Sequence, residues 1–84
     1  MNTVYWTVRA AKQLRKLHRL HQVAVRDAVS TLANMPACTN VVRLVNHDYA
    51  YRLRVGDYRV LFNWEGSVKI VQIEAIRKRD ERTY

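Results

Sequence analysis

The chain has one cysteine, Cys38, one proline, Pro36, and two glycines, Gly56 and Gly66, among its 84 residues. A lone thiol excludes an internal disulfide and suits a reducing compartment such as the cytoplasm. Nothing beside Cys38 marks it as activated. Two isolated glycines cannot build a glycine-rich loop that cradles phosphate. No run of about 18 apolar residues occurs, so no membrane-spanning helix is expected. Arg9 and Lys12 fall where the apolar core of a signal peptide would lie. The three histidines and the cysteine show no metal-ligand spacing, so no metal or cofactor is expected. His18 and His21 read as solvated helix residues. His47 beside Asp48 resembles a base with an orienting carboxylate, but in a turn it reads as a surface residue. No serine or cysteine sits in a recognisable nucleophile setting.

Acidic residues are also scarce. Seven Asp and Glu against fifteen Lys and Arg leave a formal charge of +8 and a pI near 10.3. Such an excess favours a polyanion such as nucleic acid, or an acidic protein partner, and is silent about the fold. With 49% hydrophobic residues the composition is that of a folded domain. Residues 1–84 are read as a single one, near the lower size limit, burying about 60–65% of the unfolded chain's surface.

Residues 2–7 are rich in β-branched and aromatic side chains and predict a first strand. Thr7 is placed to cap a following helix. From Val8 to Met35 apolar residues recur at helical spacing until Pro36 stops the pattern. One helix of that length would run about 40 Å, against an expected radius of gyration of about 12 Å. The region is therefore divided near His18–His21 into two antiparallel helices. Val41–Val45, Tyr51–Val55, Tyr58–Trp64 and Ser67–Ile76 predict four further strands. The resulting order is β-α-α-β-β-β-β, an α+β fold with an antiparallel sheet and the helices packed on one face.

The most informative stretch is Tyr51 to Arg59. Tyr51, Leu53 and Val55 alternate with Arg52 and Arg54, the period of a half-buried strand. Gly56-Asp57 supplies a two-residue type II′ turn. Val55 then faces Tyr58, Arg54 faces Arg59, Leu53 faces Val60 and Arg52 faces Leu61. A second two-residue turn at Glu65-Gly66 would set Arg59 opposite Gln72. Arg52, Arg54 and Arg59 share one face, where directly opposed like charges destabilise a sheet. Two readings stand: a solvated face with salt bridges to Asp57 and Glu74, or a guanidinium array that clamps phosphate. The run Arg77-Lys78-Arg79 to Arg82 reads either as a frayed terminus or as more of the same site. Trp6, Phe62 and Trp64 read as core residues, with base stacking as the alternative.

The element order, the Tyr51–Arg59 hairpin, the apolar strand after it and the Lys78-Arg79…Tyr84 ending together resemble the RelE/ParE superfamily of toxin–antitoxin toxins, over essentially the whole chain. The hairpin is common to both branches; the basic segment with a late tyrosine is similar to the RelE-like branch. That resemblance implies a metal-independent endoribonuclease, without cofactor, that cleaves messenger RNA on the ribosome and inhibits translation. By position it implies that Arg59 and Arg79 contact the reacting phosphate and that Tyr84 stacks on or activates the substrate nucleotide. Lys78, where many relatives have histidine, would assist. Arg52, Arg54 and Arg77 would bind RNA phosphates. It further implies a cognate antitoxin, acidic or partly disordered. The alternative branch is a ParE-like inhibitor that poisons DNA gyrase by binding, and a third class is a basic nucleic-acid-binding module without toxicity.

Overall fold

Thr7 caps the first helix as its position predicts: its hydroxyl accepts the Ala10 N–H at 3.1 Å at the start of α1, Val8–Arg15. The computed structural model describes residues 1–79; Arg82 and Tyr84 lie outside the described residues. Before α1 runs β1, Thr3–Trp6. The second helix, α2, spans Arg19–Ser30 and is followed by a single tight helical turn, Thr31–Asn34. The helical region thus divides at residues 16–18, slightly earlier than the histidine pair suggests. Side chains explain a break without glycine or proline. His18 Nδ1 accepts the Leu20 N–H at 3.3 Å and caps α2. Gln22 Nε2 reaches back to the carbonyls of Leu17 at 2.8 Å and Arg15 at 3.2 Å, which the end of α1 leaves open.

Four more strands follow: β2 Val41–Arg43, β3 Tyr51–Val55, β4 Tyr58–Glu65 and β5 Ile70–Lys78. The five form one sheet in the order β1-β5-β4-β3-β2. Strands β2 to β5 are an antiparallel meander, and β1 lies parallel to β5. The helices cover one face. Ala10 and Leu14 of α1, Val25 and Val29 of α2, and Leu32 bury against Leu53, Val60, Phe62, Val71 and Ile73 of the sheet. The i, i+4 spacing of each helical pair marks its inward stripe, and each large aliphatic side chain so buried contributes about 1.5–3 kcal/mol. Phe62 is fully buried and stacks on Tyr51 with ring centroids 5.4 Å apart. Trp64 donates its indole N–H to Asn2 Oδ1 at 3.0 Å, while Asn2 Nδ2 donates to Met35 O at 2.9 Å. These contacts tie the N-terminus to the sheet and give Phe62 and Trp64 structural work.

The β3–β4 hairpin has the register its alternation predicts, with Arg54 opposite Arg59. Gly56 has φ +55°, the left-handed conformation that the first central position of a type II′ turn needs. The β4–β5 register differs from expectation. The turn contains four residues, 66–69, so that Glu65 pairs with Ile70, and Lys69 takes the positive φ of 56°. A bulge follows: Phe62 pairs with Ile73 but Leu61 with Ala75, which leaves Glu74 as the extra residue. Together these set Arg77, not Gln72, opposite Arg59. The bulge also decides the face. Without it, the alternation from Val71 and Ile73 would carry Arg77 into the core and expose Ile76. With it, Ile76 is buried at 7% exposure and Arg77 stands on the helix-free face.

Candidate phosphate-binding site

On the helix-free face, Arg54, Arg59 and Arg77 form one cross-strand rung over β3, β4 and β5. The next rung on that face is Val42, Arg52, Leu61 and Ala75. Arg59 is only 7% exposed and Leu61 4%. The Arg59 Nη1 donates to Gly56 O and to Tyr58 O, each at 2.9 Å. The guanidinium is thereby anchored on the hairpin tip, and its direction is a property of the fold. Arg79 joins through the backbone: its N–H donates to Asp57 O at 2.6 Å, so the chain leaving β5 lies against the same turn.

Two shallow concavities adjoin here. One, of about 240 Å³, is lined by Arg52, Arg54, Arg59 and Arg79. The other, of about 320 Å³, is lined by Leu44, His47, Arg52, Arg59, Leu61, Arg77 and Lys78. They share Arg52 and Arg59. Six of the seven residues singled out in the sequence, Arg52, Arg54, Arg59, Arg77, Lys78 and Arg79, therefore line one continuous basic surface. The seventh, Tyr84, lies outside the described residues. Lys78 pairs with Tyr58 at the end of β5 and also borders a third hollow, between α2 and the hairpin, with His21 and Val55. Gln72 stands opposite Asn63, away from the arginine rung. Glu74, a counter-ion in the solvated-face reading, accepts from the amides of Asn63 at 3.3 Å and Gln72 at 3.4 Å.

An array of this kind suits a phosphodiester. Planar guanidiniums offer paired donors to phosphate oxygens, and partial burial strengthens each contact relative to open water. His47 is the lining residue that sequence reasoning set aside, because a histidine in a turn carries no local sign of what the folded loop brings it to. Cys38, by contrast, shows no sign of activation: burial pushes the thiol pKa up, and Sγ donates to Thr31 O at 3.3 Å.

The family model described as the ParE toxin of type II toxin–antitoxin systems matches residues 4–83, and the chain belongs to that family, within the RelE/ParE toxin superfamily. Comparison with curated proteins gave no match. Among solved structures, the chain is similar to a RelBE toxin–antitoxin complex of Mycobacterium tuberculosis, with 26% identity, a TM-score of 0.79, and 93% of this chain and 98% of that one covered. It is similar to an archaeal RelE–RelB complex from Pyrococcus horikoshii at 24% identity and TM-score 0.81, covering 95% and 97%. The isolated Escherichia coli RelE toxin shares 15% identity at TM-score 0.79, covering 99% and 89%. At the two lower identities the likeness is one of fold. No helix among the described residues is long and apolar enough to cross a membrane.

Proposed function

We propose that this toxin is an endoribonuclease that cleaves messenger RNA on the ribosome and so stops translation. The observation that carries the reading is the rung Arg54–Arg59–Arg77, extended by Arg52 and Arg79. Like charges side by side weaken a sheet, and an anion lying across them removes that penalty. RNA cleavage by its own 2′-hydroxyl needs such an array. The 2′-oxygen loses its proton and bonds to phosphorus, the bond from phosphorus to the 5′-oxygen breaks, and the leaving oxygen takes up a proton. Charge accumulates on the two non-bridging oxygens in between. Arg59 and Arg79 hold those oxygens, and one oriented donor of this type contributes on the order of 3 kcal/mol to lowering the barrier. Arg52, Arg54 and Arg77 grip flanking phosphates. Arginine is a poor base, its pKa exceeding about 12. The 2′-hydroxyl proton therefore falls to Tyr84, with Lys78 assisting, as the RelE-like resemblance suggests. Chemically, the route spares DNA, which has no 2′-hydroxyl.

The partner under this reading is a cognate antitoxin with an acidic or partly disordered segment that covers the basic face. The chain's charge of +8 and the toxin–antitoxin complexes formed by its structural relatives support it. The site of action is the cytoplasm, where ribosomes are. The competing reading, gyrase poisoning, draws on the ParE name of the matching family. Mapping new messenger RNA 5′ ends after brief induction separates them. Ends in frame with codons are expected; intact messages together with accumulated gyrase–DNA cleavage complexes would overturn the endonuclease reading.

A further inference from the structure

We propose that His47 positions the substrate nucleotide by donating a hydrogen bond from Nε2; this rests on the reading of the arginine surface as an RNA site. His47 lies in the loop between β2 and β3, and that loop is built rather than loose. Leu44 N donates to Ala50 O at 2.8 Å and closes its base. Ala50 N donates to Asn63 Oδ1 at 2.9 Å on β4. Arg9 Nη1 donates to the Tyr49 hydroxyl at 3.2 Å, tying the loop to α1. Within it, the Tyr49 N–H donates to His47 Nδ1 at 3.2 Å, and the two rings lie 6.0 Å apart. A ring nitrogen that accepts an amide hydrogen carries no hydrogen of its own, so the neutral ring holds its proton on Nε2.

The surroundings define what that donor meets. The larger concavity has an apolar part, Leu44 and Leu61, whereas the described residues lining the smaller one are all arginines. Among its described lining residues, Arg52, Arg59, Arg77 and Lys78 are cationic, and His47 is the one polar side chain that is neither lysine nor arginine. A phosphate gains nothing from leucines; the ribose and base of a nucleotide do. With the scissile phosphate over Arg59, the attached nucleoside falls into the larger concavity, and His47 donates to an acceptor on it. The fixed Nδ1 bond rules His47 out as a proton shuttle while it stands.

The test is cleavage kinetics on ribosomes programmed with a short message, for the wild-type chain, His47→Ala, His47→Gln and Arg59→Ala. His47→Ala is expected to raise KM about tenfold with little change in kcat, the size of one neutral hydrogen bond. His47→Gln, which keeps a donor, should recover most of it. Wild-type kinetics for His47→Ala, or His47→Gln behaving like His47→Ala, would overturn the proposal. Absence of cleavage by the wild-type chain would overturn the RNA reading itself and this proposal with it. Normal wild-type cleavage, sensitive to Arg59→Ala but not to His47→Ala, would overturn this proposal alone.

Discussion

Arg59 and Arg77 are direct cross-strand partners on β4 and β5, and Arg54 flanks Arg59 from the other side. A free sheet does not gain from this arrangement, so stability and function should respond in opposite directions. Arg77→Gln is expected to stabilise the fold by about 0.5 kcal/mol by removing one like-charge neighbour. The same change should lower RNA cleavage by about tenfold or more, the size of a hydrogen bond to a charged group. Urea unfolding and cleavage rates measured on the same preparation check both signs. A variant that loses stability as well as activity would show that Arg77 is held by partners in the fold rather than kept for an anion.

Glu74 is the bulge residue between the pairs Phe62–Ile73 and Leu61–Ala75. Deleting it should make those pairs consecutive in an unbroken ladder, with Ile76 still in the core and Arg77 still beside Arg59. The deletion variant should therefore fold and unfold at a denaturant concentration close to the parent's; a large loss of stability would show that the bend at the bulge is itself needed to seat the helices on the sheet. Glu74→Ala keeps the bulge. It removes the acceptor of the bonds from Asn63 Nδ2 and Gln72 Nε2, at about 1 kcal/mol. Asn63 also accepts the Ala50 N–H, so faster hydrogen exchange at Ala50 should accompany it. An unchanged Ala50 amide would show that Asn63 holds the loop unaided.

Legibility in the sequence followed how local each determinant is. The Tyr51–Arg59 hairpin was readable because alternation and a glycine at the turn sit within nine consecutive residues, and its register agrees pair for pair. The second hairpin was not. Gly66 invites a tight turn, whereas the residue that reverses the chain with positive φ is Lys69, whose side chain gives no such sign. The bulge left one trace, the three-residue step from Ile73 to Ile76 that interrupts a period of two. Reading that step would have set Arg77 opposite Arg59 from the pattern itself, where the family resemblance gave it only a phosphate-binding role. His47 could not have been found this way, since its neighbours Arg52, Arg59 and Arg77 are supplied by loop closure over the sheet.

Gly56 offers a test of the hairpin as a holder for Arg59. Its φ of +55° is unfavourable for an alanine, yet a Cβ built there meets nothing within 4 Å. Gly56→Ala should therefore cost only the conformational penalty, about 1–2 kcal/mol, with no steric addition. Gly56→Asn, which tolerates the left-handed region better, should cost less. Because Arg59 Nη1 bonds to Gly56 O, activity should fall further than stability accounts for. Denaturant midpoints compared with cleavage rates, both below the unfolding range, give the answer. Equal losses in the two would mean that the turn serves the fold and leaves the guanidinium's aim untouched.

Salt dependence separates phosphate contacts from general basicity. For single-stranded nucleic acid the slope of log K against log salt is about −0.7 per phosphate neutralised. Arg54 and Arg79 both line the smaller concavity, so Arg54→Gln and Arg79→Gln should each make the slope shallower by about 0.7, and the double variant by about 1.4. Arg26 carries the same charge but sits exposed on α2, on the helix-covered side; Arg26→Gln should leave the slope unchanged. The measurement uses a non-cleavable oligonucleotide with 2′-deoxyribose at the reacting position, titrated at several salt concentrations. If all three substitutions shift the slope equally, RNA is held by the net charge of the chain and not by the rung on β3, β4 and β5. A response confined to Arg54 and Arg79 would assign the phosphates to that rung and its neighbour from the segment after β5.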